Sequence, residues 1–406
     1  MMLPSPVPTR RRPGPVIILT GGGSGGHITP LLSLAHELKK QKPKCEIIYI
    51  GLKGEKVEGL SGRYDVFDQV RRISAGKFRR YYGQTLVARL ADVKTQALNS
   101  RDFFRVIKGL HAAERIVKEV KPDVVFSKGG YVAVPVGIAA RLRGVPIVTH
   151  DSDSVPGLAN RVIGRWADVH ATGMPTINYH FANGQTVFTG IPVDERLKPV
   201  TSAIQKTYKR DLGLSANSLV LLAAGGGQGS QQINDLVLDA APELLNKFAK
   251  LQILHFAGGK LAGQSGAEQV SKAYQEKLPP ADAKRVQVLD FSSDFYLYSG
   301  AADLIITRAG ATAMSEFALQ GKACIVIPGS ALAGGHQLKN AEVLAAKSAA
   351  VVLPAQPSAK KLLTAAINLL ENTKLRQKYA KNLSSTANPR AAEQLAKLIL
   401  ETAYKK

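Results

Sequence analysis

Short apolar runs, rich in β-branched residues, alternate along this chain with longer amphipathic stretches. The apolar runs are residues 16–20, 46–51, 124–130, 146–150, 218–226, 251–258, 303–308 and 323–329. Apolar runs of this length between helix-length segments are typical of parallel strands that helices cover on both faces. The pattern therefore predicts an α/β protein built on doubly wound parallel sheets.

The alternation begins twice, at Val16 and again near Leu219, and each time a glycine-rich segment follows the first strand. Residues 189–205, between the two series, contain prolines and polar residues without a strong period, which indicates a linker. We therefore predict two Rossmann-like domains with a ligand-binding cleft between them. The predicted units are a disordered basic leader, an N-terminal domain, a C-terminal domain and a last helix that packs back on the N-terminal domain, at residues 1–15, 16–190, 191–390 and 391–406.

The composition is that of a globular protein, with 45% hydrophobic and 21% charged residues. Two cysteines, Cys45 and Cys324, stand far apart in apolar runs, so we predict buried, reduced thiols, which fit a reducing cytosol. No apolar stretch reaches the roughly 18–20 residues that span a bilayer. The basic, proline-rich N-terminus lacks the apolar segment of a signal peptide.

A formal net charge of +23 indicates a polyanionic partner, and nucleic acid and anionic lipid are the two candidates. The sequence contains no RNP, KH, zinc-finger or basic-zipper pattern, so we predict no nucleic-acid partner. An ordinary enzyme with a basic surface explains the charge as well. The charge alone therefore leaves that interpretation open.

Residues 69–91 combine basic and apolar side chains and contain no acidic residue. The basic residues are Arg71, Arg72, Lys77, Arg79, Arg80 and Arg89. The apolar residues among and after them are Ile73, Phe78, Tyr81, Tyr82, Leu86, Phe103 and Phe104. This mixture suits anionic lipid headgroups, so residues 71–108 are predicted to form an interfacial patch. The alternative is a solvated basic loop with a few core aromatics.

The first glycine-rich segment reads TGGGSGGHITP, residues 20–30, between a strand and the amphipathic helix predicted for residues 31–40. Glycines let a ligand approach the backbone, and the helix start offers free N–H groups to an anion. The segment is a poor match to the dinucleotide-binding G-x-G-x-x-G pattern. His27 places a titratable imidazole where a reacting group would lie, and a structural imidazole is the alternative.

The second glycine-rich segment reads AAGGGQGSQQIN, residues 223–234, and again joins a strand to a helix. Neither segment is followed by Gly-Lys-Ser/Thr, which excludes a Walker A loop. Two phosphate-cradling turns, one in each domain and both facing one cleft, indicate a phosphate-binding site more specifically than either turn alone.

A third segment, residues 307–328, ends a strand and opens a helix between Arg308 and Thr312, which gives another helix N-terminus for an anion. Glu316 follows within two turns, where a carboxylate accepts both hydroxyls of a ribose. The alternative is a carboxylate that only complements the helix dipole. Amide and imidazole side chains that suit sugar hydroxyls share a helical face farther on: His336, Gln337 and Asn340.

Asp151 and Asp153 form an Asp-x-Asp pair directly after the apolar run at 146–150. Such a pair binds a metal–diphosphate in some proteins, but the pattern is common by chance, and the glycine turns already supply diphosphate contacts. We therefore predict neither a metal ion nor a cofactor, and metal binding by this pair is the alternative.

Six blocks of the sequence, taken in order, resemble the UDP-N-acetylglucosamine transferases of peptidoglycan synthesis, which have the GT-B fold and convert lipid I to lipid II. The blocks are GGGSGGHITP, SKGGYVAVPVGIAA, HDSDSVPGLANR, GGGQGSQQIN, RAGATAMSE and HQLKNA. The resemblance extends from about Val16 to the C-terminus. It implies transfer of GlcNAc from UDP-GlcNAc to the C4 hydroxyl of lipid I with inversion, at the cytoplasmic side of the cell membrane.

The resemblance also implies roles for individual residues. The acceptor side would consist of Ser24, Gly25, Gly26, His27 and Tyr131, with His27 as general base. The donor diphosphate would contact Gly227, Gln228, Gly229, Ala311 and Thr312. The ribose would contact Glu316, and the GlcNAc hydroxyls would contact His336 and Gln337. Uracil would contact the backbone of residues 291–295, which include Ser292 and Phe295.

Three positions depart from the family pattern. Asp153 stands where the family has an amide near the sugar, so it becomes a second candidate for the base. Gly227 replaces a serine that would contact the diphosphate. Asp194 replaces an arginine, and Arg196 is placed to reach a similar position, so we count Arg196 among the substrate-binding residues.

Two other classes of function stay open on the sequence. A UDP-GlcNAc 2-epimerase would share the fold and the donor, and would need neither a lipid acceptor nor a membrane patch. A basic lipid- or nucleic-acid-binding protein without catalysis would explain the charge, but it would leave the glycine turns and Glu316 without a role.

Overall fold

The computed structural model describes residues 13–22, 25–54, 61–76, 92–174, 183–227, 229–259, 265–329 and 335–405, with only the backbone described for 25–27, 61–63 and 93–94. Within these ranges the chain forms two parallel β-sheets that helices cover. The α/β, doubly wound fold predicted from the alternating pattern is therefore confirmed.

The N-terminal sheet has seven strands in the order β3-β2-β1-β4-β5-β6-β7, and neighbouring strands run parallel. The strands are β1 (Val16–Thr20), β2 (Glu46–Leu52), β3 (Gln69–Ile73), β4 (Val124–Ser127), β5 (Ile147–Asp151), β6 (Val169–Thr172) and β7 (Gln185–Phe188). The helices are α1 (Gly25–Gln41), a 3-10 helix (Ser61–Val66), α2 (Val93–Val120), α3 (Ala133–Leu142) and α4 (Leu158–Ile163). The strand order reverses between β1 and β4, and ligands bind at such a reversal.

The C-terminal sheet has six parallel strands in the order β10-β9-β8-β11-β12-β13. The strands are β8 (Leu219–Ala224), β9 (Leu251–Phe256), β10 (Val286–Leu289), β11 (Leu304–Thr307), β12 (Cys324–Val326) and β13 (Val351–Val352). The helices are α5 (Ser202–Asp211), α6 (Gln231–Lys247), α7 (Gly266–Lys277), α8 (Pro280–Ala283), α9 (Phe295–Ala301), α10 (Ala311–Gln320), α11 (His336–Ala346), α12 (Ala359–Glu371), α13 (Thr373–Ser384) and α14 (Ala391–Tyr404). Here the order reverses between β8 and β11.

The central strands are buried on both faces because their residues are apolar at successive positions. In β1, Ile17 and Leu19 pack into one core with Leu34 of α1, whereas Val16 and Ile18 pack into a second core on the opposite face. Each fully buried side chain of this size stabilises the fold by roughly 1.5–3 kcal/mol.

The edge strand β3 lies within the predicted interfacial patch, and its contacts contradict part of that prediction. Ile73 is buried in the core, and Arg71 forms an ion pair of 3.0 Å with Glu119 of α2. The prediction of a lipid-facing patch is therefore wrong for Ile73. Arg71 has an acidic partner on α2 that the local sequence lacks, and Arg72 is exposed, so the patch stays a prediction for these two residues. Residues 77–91 lie outside the described residues.

Helix α1 begins at Gly25, six residues before the predicted start of this helix. The prediction assumed that Pro30 ends the glycine turn, but Pro30 lies inside the helix. Pro30 is the sixth residue of the helix and has no N–H, so the helix lacks the one backbone hydrogen bond that this position would donate to the carbonyl oxygen of residue 26. Gly25, Gly26 and His27 therefore form the first turn of α1.

The last helix, α14, packs on the N-terminal domain. Leu395 and Ile399 are buried in the same core as Ile17. At the crossing, Asn388 Nδ2 donates to Thr189 O at 2.7 Å. The chain therefore passes between the two domains twice, once through the segment that precedes α5 and once before α14.

Both cysteines, Cys45 and Cys324, are buried and unpaired, as predicted. None of the helices in the described ranges has the length and apolar character that a membrane-spanning helix requires.

Candidate active site

The carboxyl ends of β1 and β4 meet at the first glycine turn. Lys128 N donates to Thr20 O at 2.8 Å. Gly130 has a φ of +80°, and a Cβ at this position would lie 2.4 Å from Gly22 O. Only glycine therefore fits there. The first-turn N–H groups of α1, from Gly25 onward, follow this junction and are available to an anion.

Several predicted acceptor residues have little structural description. Ser24 lies outside the described residues, and so do the side chains of Gly25, Gly26 and His27. Tyr131 is half-buried and packs against the N-terminal core. Their roles toward an acceptor stay predictions.

The second glycine turn lies at the carboxyl end of β8. Gly229 has a φ of +77°, and a Cβ there would lie 2.4 Å from Ala257 O, so glycine is required. Ser230 caps α6, and its Oγ accepts from Ile233 N at 3.3 Å. The turn thus ends in a helix start suited to a phosphate. Gln228 lies outside the described residues.

Replacing Gly227 by serine is expected to be tolerated and to tighten donor binding. A Cβ at Gly227 would meet no atom within 4 Å, and its φ is not positive. One added hydrogen bond contributes about 0.5–1.5 kcal/mol, so the KM for UDP-GlcNAc should fall about 2- to 10-fold at an unchanged melting temperature. The control is Gly229→Ser, which should lower the melting temperature. An unchanged KM for Gly227→Ser would show that this position does not face the donor.

Helix α10 starts at the carboxyl end of β11, beside the second glycine turn, because β11 pairs with β8. Ala311 and Thr312 are its first two residues and therefore lie at the positive end of the helix dipole. Glu316 is half-buried, and no donor among the described residues bonds to its carboxylate. Burial, and to a lesser degree the nearby Asp194 carboxylate, raise the pKa of Glu316 to about 7.

Arg196 joins the interdomain segment to the loop before α9. Its guanidinium forms ion pairs with Asp194 at 3.0 Å and with Asp294 at 2.7 Å, donates to Ser293 O at 2.8 Å, and lies 4.6 Å from the centre of the Tyr296 ring. These partners occupy most of its donors. Arg196 therefore positions this loop, and direct contact with a substrate stays a prediction.

The loop that Arg196 holds contains the residues predicted to contact uracil. Ser292 Oγ accepts from Asp294 N at 3.1 Å. Phe295 packs edge to face on Phe256, with ring centres 5.0 Å apart. Both contacts fix the backbone of this loop, which is the part of it predicted to meet uracil.

Helix α11 faces the cleft with its first residues. His336 is its first residue, and its Nδ1 is buried without a hydrogen-bond partner in the described part of the chain. Gln337 Oε1 accepts from Gly329 N at 2.8 Å, and its amide N–H groups have no acceptor among the described residues. Both side chains are therefore placed to bind polar groups, and their contact with GlcNAc stays a prediction.

Asn340 spans the cleft, a role that its predicted place on a sugar-binding face did not suggest. Its Nδ2 donates to Asp153 Oδ1 at 2.8 Å and to Ala309 O at 3.0 Å, and its Oδ1 accepts from Ser154 N at 3.0 Å. Asn340 is fully buried. One side chain therefore joins the loop after β5 to two elements of the C-terminal domain.

The Asp-x-Asp pair has protein partners. Asp151 Oδ1 accepts from Gly157 N at 2.9 Å, and Asp153 accepts from Asn340 as described. Within the described residues, no group of three His, Cys, Asp or Glu side chains is arranged to hold a metal ion. The part of Asp153 as a base stays a prediction.

One residue of this region was missed from the sequence. Lys128, between β4 and the paired glycines, is 4% exposed and donates to Ser152 Oγ at 2.6 Å. The available signal was a basic residue directly before two glycines at the end of an apolar strand.

The chain is similar to known proteins over nearly its whole length. The profile of the glycosyltransferase family 28 N-terminal domain matches residues 17–172, and that of the family's C-terminal domain matches residues 220–397. A relative from Clostridium tetani, named UDP-N-acetylglucosamine–N-acetylmuramyl-(pentapeptide) pyrophosphoryl-undecaprenol N-acetylglucosamine transferase, is 32% identical over 94% of this chain and 97% of its own length.

Solved structures show the same fold. Acinetobacter baumannii MurG is 26% identical, with a TM-score of 0.68 over 95% of this chain and 99% of its own. The UDP-GlcNAc 2-epimerase from Neisseria meningitidis, bound to UDP-GlcNAc, has a TM-score of 0.64 over 95% of this chain and 100% of its own, but is only 14% identical. The epimerase likeness shows the fold alone. The chain belongs to glycosyltransferase family 28, within the family of these N-acetylglucosamine transferases, and has their GT-B fold.

Proposed function

We propose that the chain moves GlcNAc from UDP-GlcNAc to the C4 hydroxyl of the MurNAc unit of lipid I, with inversion, in peptidoglycan synthesis. Relatives with this activity in their names match nearly the whole chain. The observation that carries the proposal is Glu316, a half-buried carboxylate to which no donor among the described residues bonds, beside two helix starts that suit a diphosphate. This combination is what a nucleoside diphosphate requires.

The proposed reaction is a direct displacement. The C4 oxygen of the acceptor forms a bond to the anomeric carbon while the bond from that carbon to the diphosphate breaks, and UDP leaves with the electron pair. The hydroxyl proton passes to a base, either His27 or Asp153. The N-terminus of α10, at Ala311, stabilises the negative charge that develops on UDP.

The test is transfer of radiolabelled GlcNAc from UDP-GlcNAc to a lipid I analogue, with a chelator present. We expect label in the lipid fraction. A parallel incubation with UDP-GlcNAc alone should give no epimerised sugar. An epimerised product without transfer would contradict the proposal and would instead support the isomerase.

We also propose that the chain lies on the cytoplasmic side of the cell membrane, with an exposed part of α2 against anionic lipid. Here Asp102 and Gly109 face inward. Phe103 and Phe104 are 53% and 63% exposed. The outward residues, called the α2 patch, are Arg101, Phe103, Phe104, Arg105, Ile107 and Lys108. Aromatic side chains among cations suit the headgroup region of an anionic leaflet.

Replacing both Phe103 and Phe104 by serine is expected to lower affinity for vesicles with anionic lipid about 10-fold or more, because two exposed rings lose their apolar contact. Sedimentation with vesicles measures this effect. The control is Phe188→Ser, which changes a ring that is 45% exposed on the opposite edge strand. Equal binding by the double variant and the wild type would remove the α2 patch from membrane binding.

A further inference from the structure

Lys128 is a buried cation at the carboxyl end of β4. Its side chain is 4% exposed, and its Nζ donates to Ser152 Oγ at 2.6 Å. An ammonium group has three N–H donors, and Ser152 provides its one hydrogen-bond acceptor within the described ranges. Among the residues that the structure describes, two donors of this buried charge are therefore left without an acceptor.

Nearby carboxylates do not complete this site. Asp151 and Asp153 act on Lys128 through space and favour its charged form, while burial lowers its pKa to about 8. The hydrogen bonds that the structure shows for these two carboxylates go to other groups, from Gly157 N to Asp151 and from Asn340 Nδ2 to Asp153. The cation is thus largely charged at neutral pH and only partly neutralised by the protein.

The other buried lysines of the described chain differ from Lys128. Lys209 Nζ donates to Ser218 O and pairs with Asp303, both at 2.7 Å. Lys322 Nζ donates to two carbonyl oxygens, those of Gly300 and Ala302. Burying a charge is costly unless its hydrogen bonds are made. Incomplete pairing at Lys128 therefore points to a ligand rather than to a structural role.

The position of Lys128 restricts the ligand. A Cβ on Gly21 would lie 2.8 Å from Lys128 Cβ, so the lysine packs directly on the first glycine turn. The same turn leads into the N-terminus of α1. Ser152 belongs to the loop that Asn340 joins to the C-terminal domain. An anion bound here would therefore lie on the N-terminal side of the cleft, opposite the second glycine turn.

We propose that the Lys128 ammonium binds a phosphate oxygen of a diphosphate on the N-terminal side of the cleft, and that this diphosphate is the one carried by the lipid-linked acceptor. The assignment of the acceptor rests on the proposed function, whereas diphosphate binding does not. Lys128 is then a residue that selects acceptors with a charged diphosphate link.

The test replaces Lys128 by methionine, which keeps most of the volume and removes the charge. With the donor site saturated by UDP, affinity for inorganic pyrophosphate should fall at least about 10-fold. The KM for a lipid I analogue should rise by a similar factor, and the Kd for UDP should stay within about 2-fold. Lys206→Met, at an exposed lysine of α5, makes the same change in net charge and should alter none of the three values.

A second variant separates ligand binding from neutralisation of the aspartates. If Lys128 acts only by neutralising Asp153, Lys128→Met combined with Asp153→Asn should regain wild-type affinity for pyrophosphate, and this result would overturn the proposal. Continued weak binding by the double variant supports it. A weaker Kd for UDP with unchanged pyrophosphate binding would place Lys128 on the donor instead and would also overturn it.

The pyrophosphate measurement needs no turnover. If the wild type transfers no GlcNAc but Lys128→Met still loses pyrophosphate affinity, the proposed function fails while the diphosphate site stands. If transfer occurs and Lys128→Met changes neither pyrophosphate affinity nor the acceptor KM, the site fails and the proposed function stands.

Discussion

Replacing Glu316 by glutamine is expected to weaken UDP-GlcNAc binding about 10- to 100-fold at pH 8, because hydrogen bonds to a charged acceptor contribute about 1.5–3 kcal/mol. The wild type should itself depend on pH. Burial raises the pKa of Glu316 to about 7, so its carboxyl is mostly protonated at pH 6 and mostly ionised at pH 8. Only the ionised form accepts both ribose hydroxyls. The Kd should therefore fall about 10-fold from pH 6 to pH 8.

Calorimetric titration over this range tests the prediction. UDP-GlcNAc is the ligand to use. The terminal phosphate of UDP titrates near pH 6 and would itself make the Kd depend on pH. In Glu316→Gln the Kd should be nearly independent of pH. Glu342→Gln, at an exposed glutamate of α11, is the matched control and should behave like the wild type. The same pH dependence in Glu316→Gln as in the wild type would show that another group controls donor binding.

Replacing Asn340 by alanine is expected to lower stability by about 3 kcal/mol and to reduce kcat. Asn340 is the buried partner of Asp153, Ser154 and Ala309, and each buried group left without a partner costs about 1–3 kcal/mol. The change also disconnects the loop after β5 from α11, which carries His336. Binding of UDP, whose predicted contacts lie in the C-terminal domain, should change little.

Calorimetric melting and steady-state kinetics measure these effects, and a loss of this size lowers the melting temperature by about 5 °C or more. The control is Asn382→Ala, which removes one exposed hydrogen bond of 3.0 Å to Ser348 O in the same domain and should cost well under about 1.5 kcal/mol. If the two variants have the same melting temperature, the contacts of Asn340 do not couple the domains.

The strands that sequence reasoning found are those in which apolar residues follow one another. The run VIILT at 16–20 coincides with β1, since both of its faces are buried. Strand β3, QVRRI, has only Ile73 fully buried, and β13 has two residues. Edge strands need fewer apolar side chains, so composition alone does not separate them from loops.

Some residues of the candidate site could likewise be predicted from the local sequence, and others could not. Local patterns predict the glycine turns and Glu316, because each lies between a strand and a helix. The bond from Asn340 to Asp153 joins residues 187 positions apart, and that from Lys128 to Ser152 joins two different strand ends. The hydrophobic periodicity of a single segment does not predict contacts between residues so far apart in sequence. They follow only from the order of the strands in the sheets and from the closure of one domain on the other.

The return of α14 to the N-terminal domain has a consequence for synthesis on the ribosome. Domains of a nascent chain ordinarily fold in the order in which they emerge. Here the first domain lacks the apolar side chains of Leu395, Ala396, Ile399 and Ala403 until almost the whole chain has been made. The half that is translated first is therefore completed last, and a nascent chain that stalls before Ala391 exposes an open strip of core.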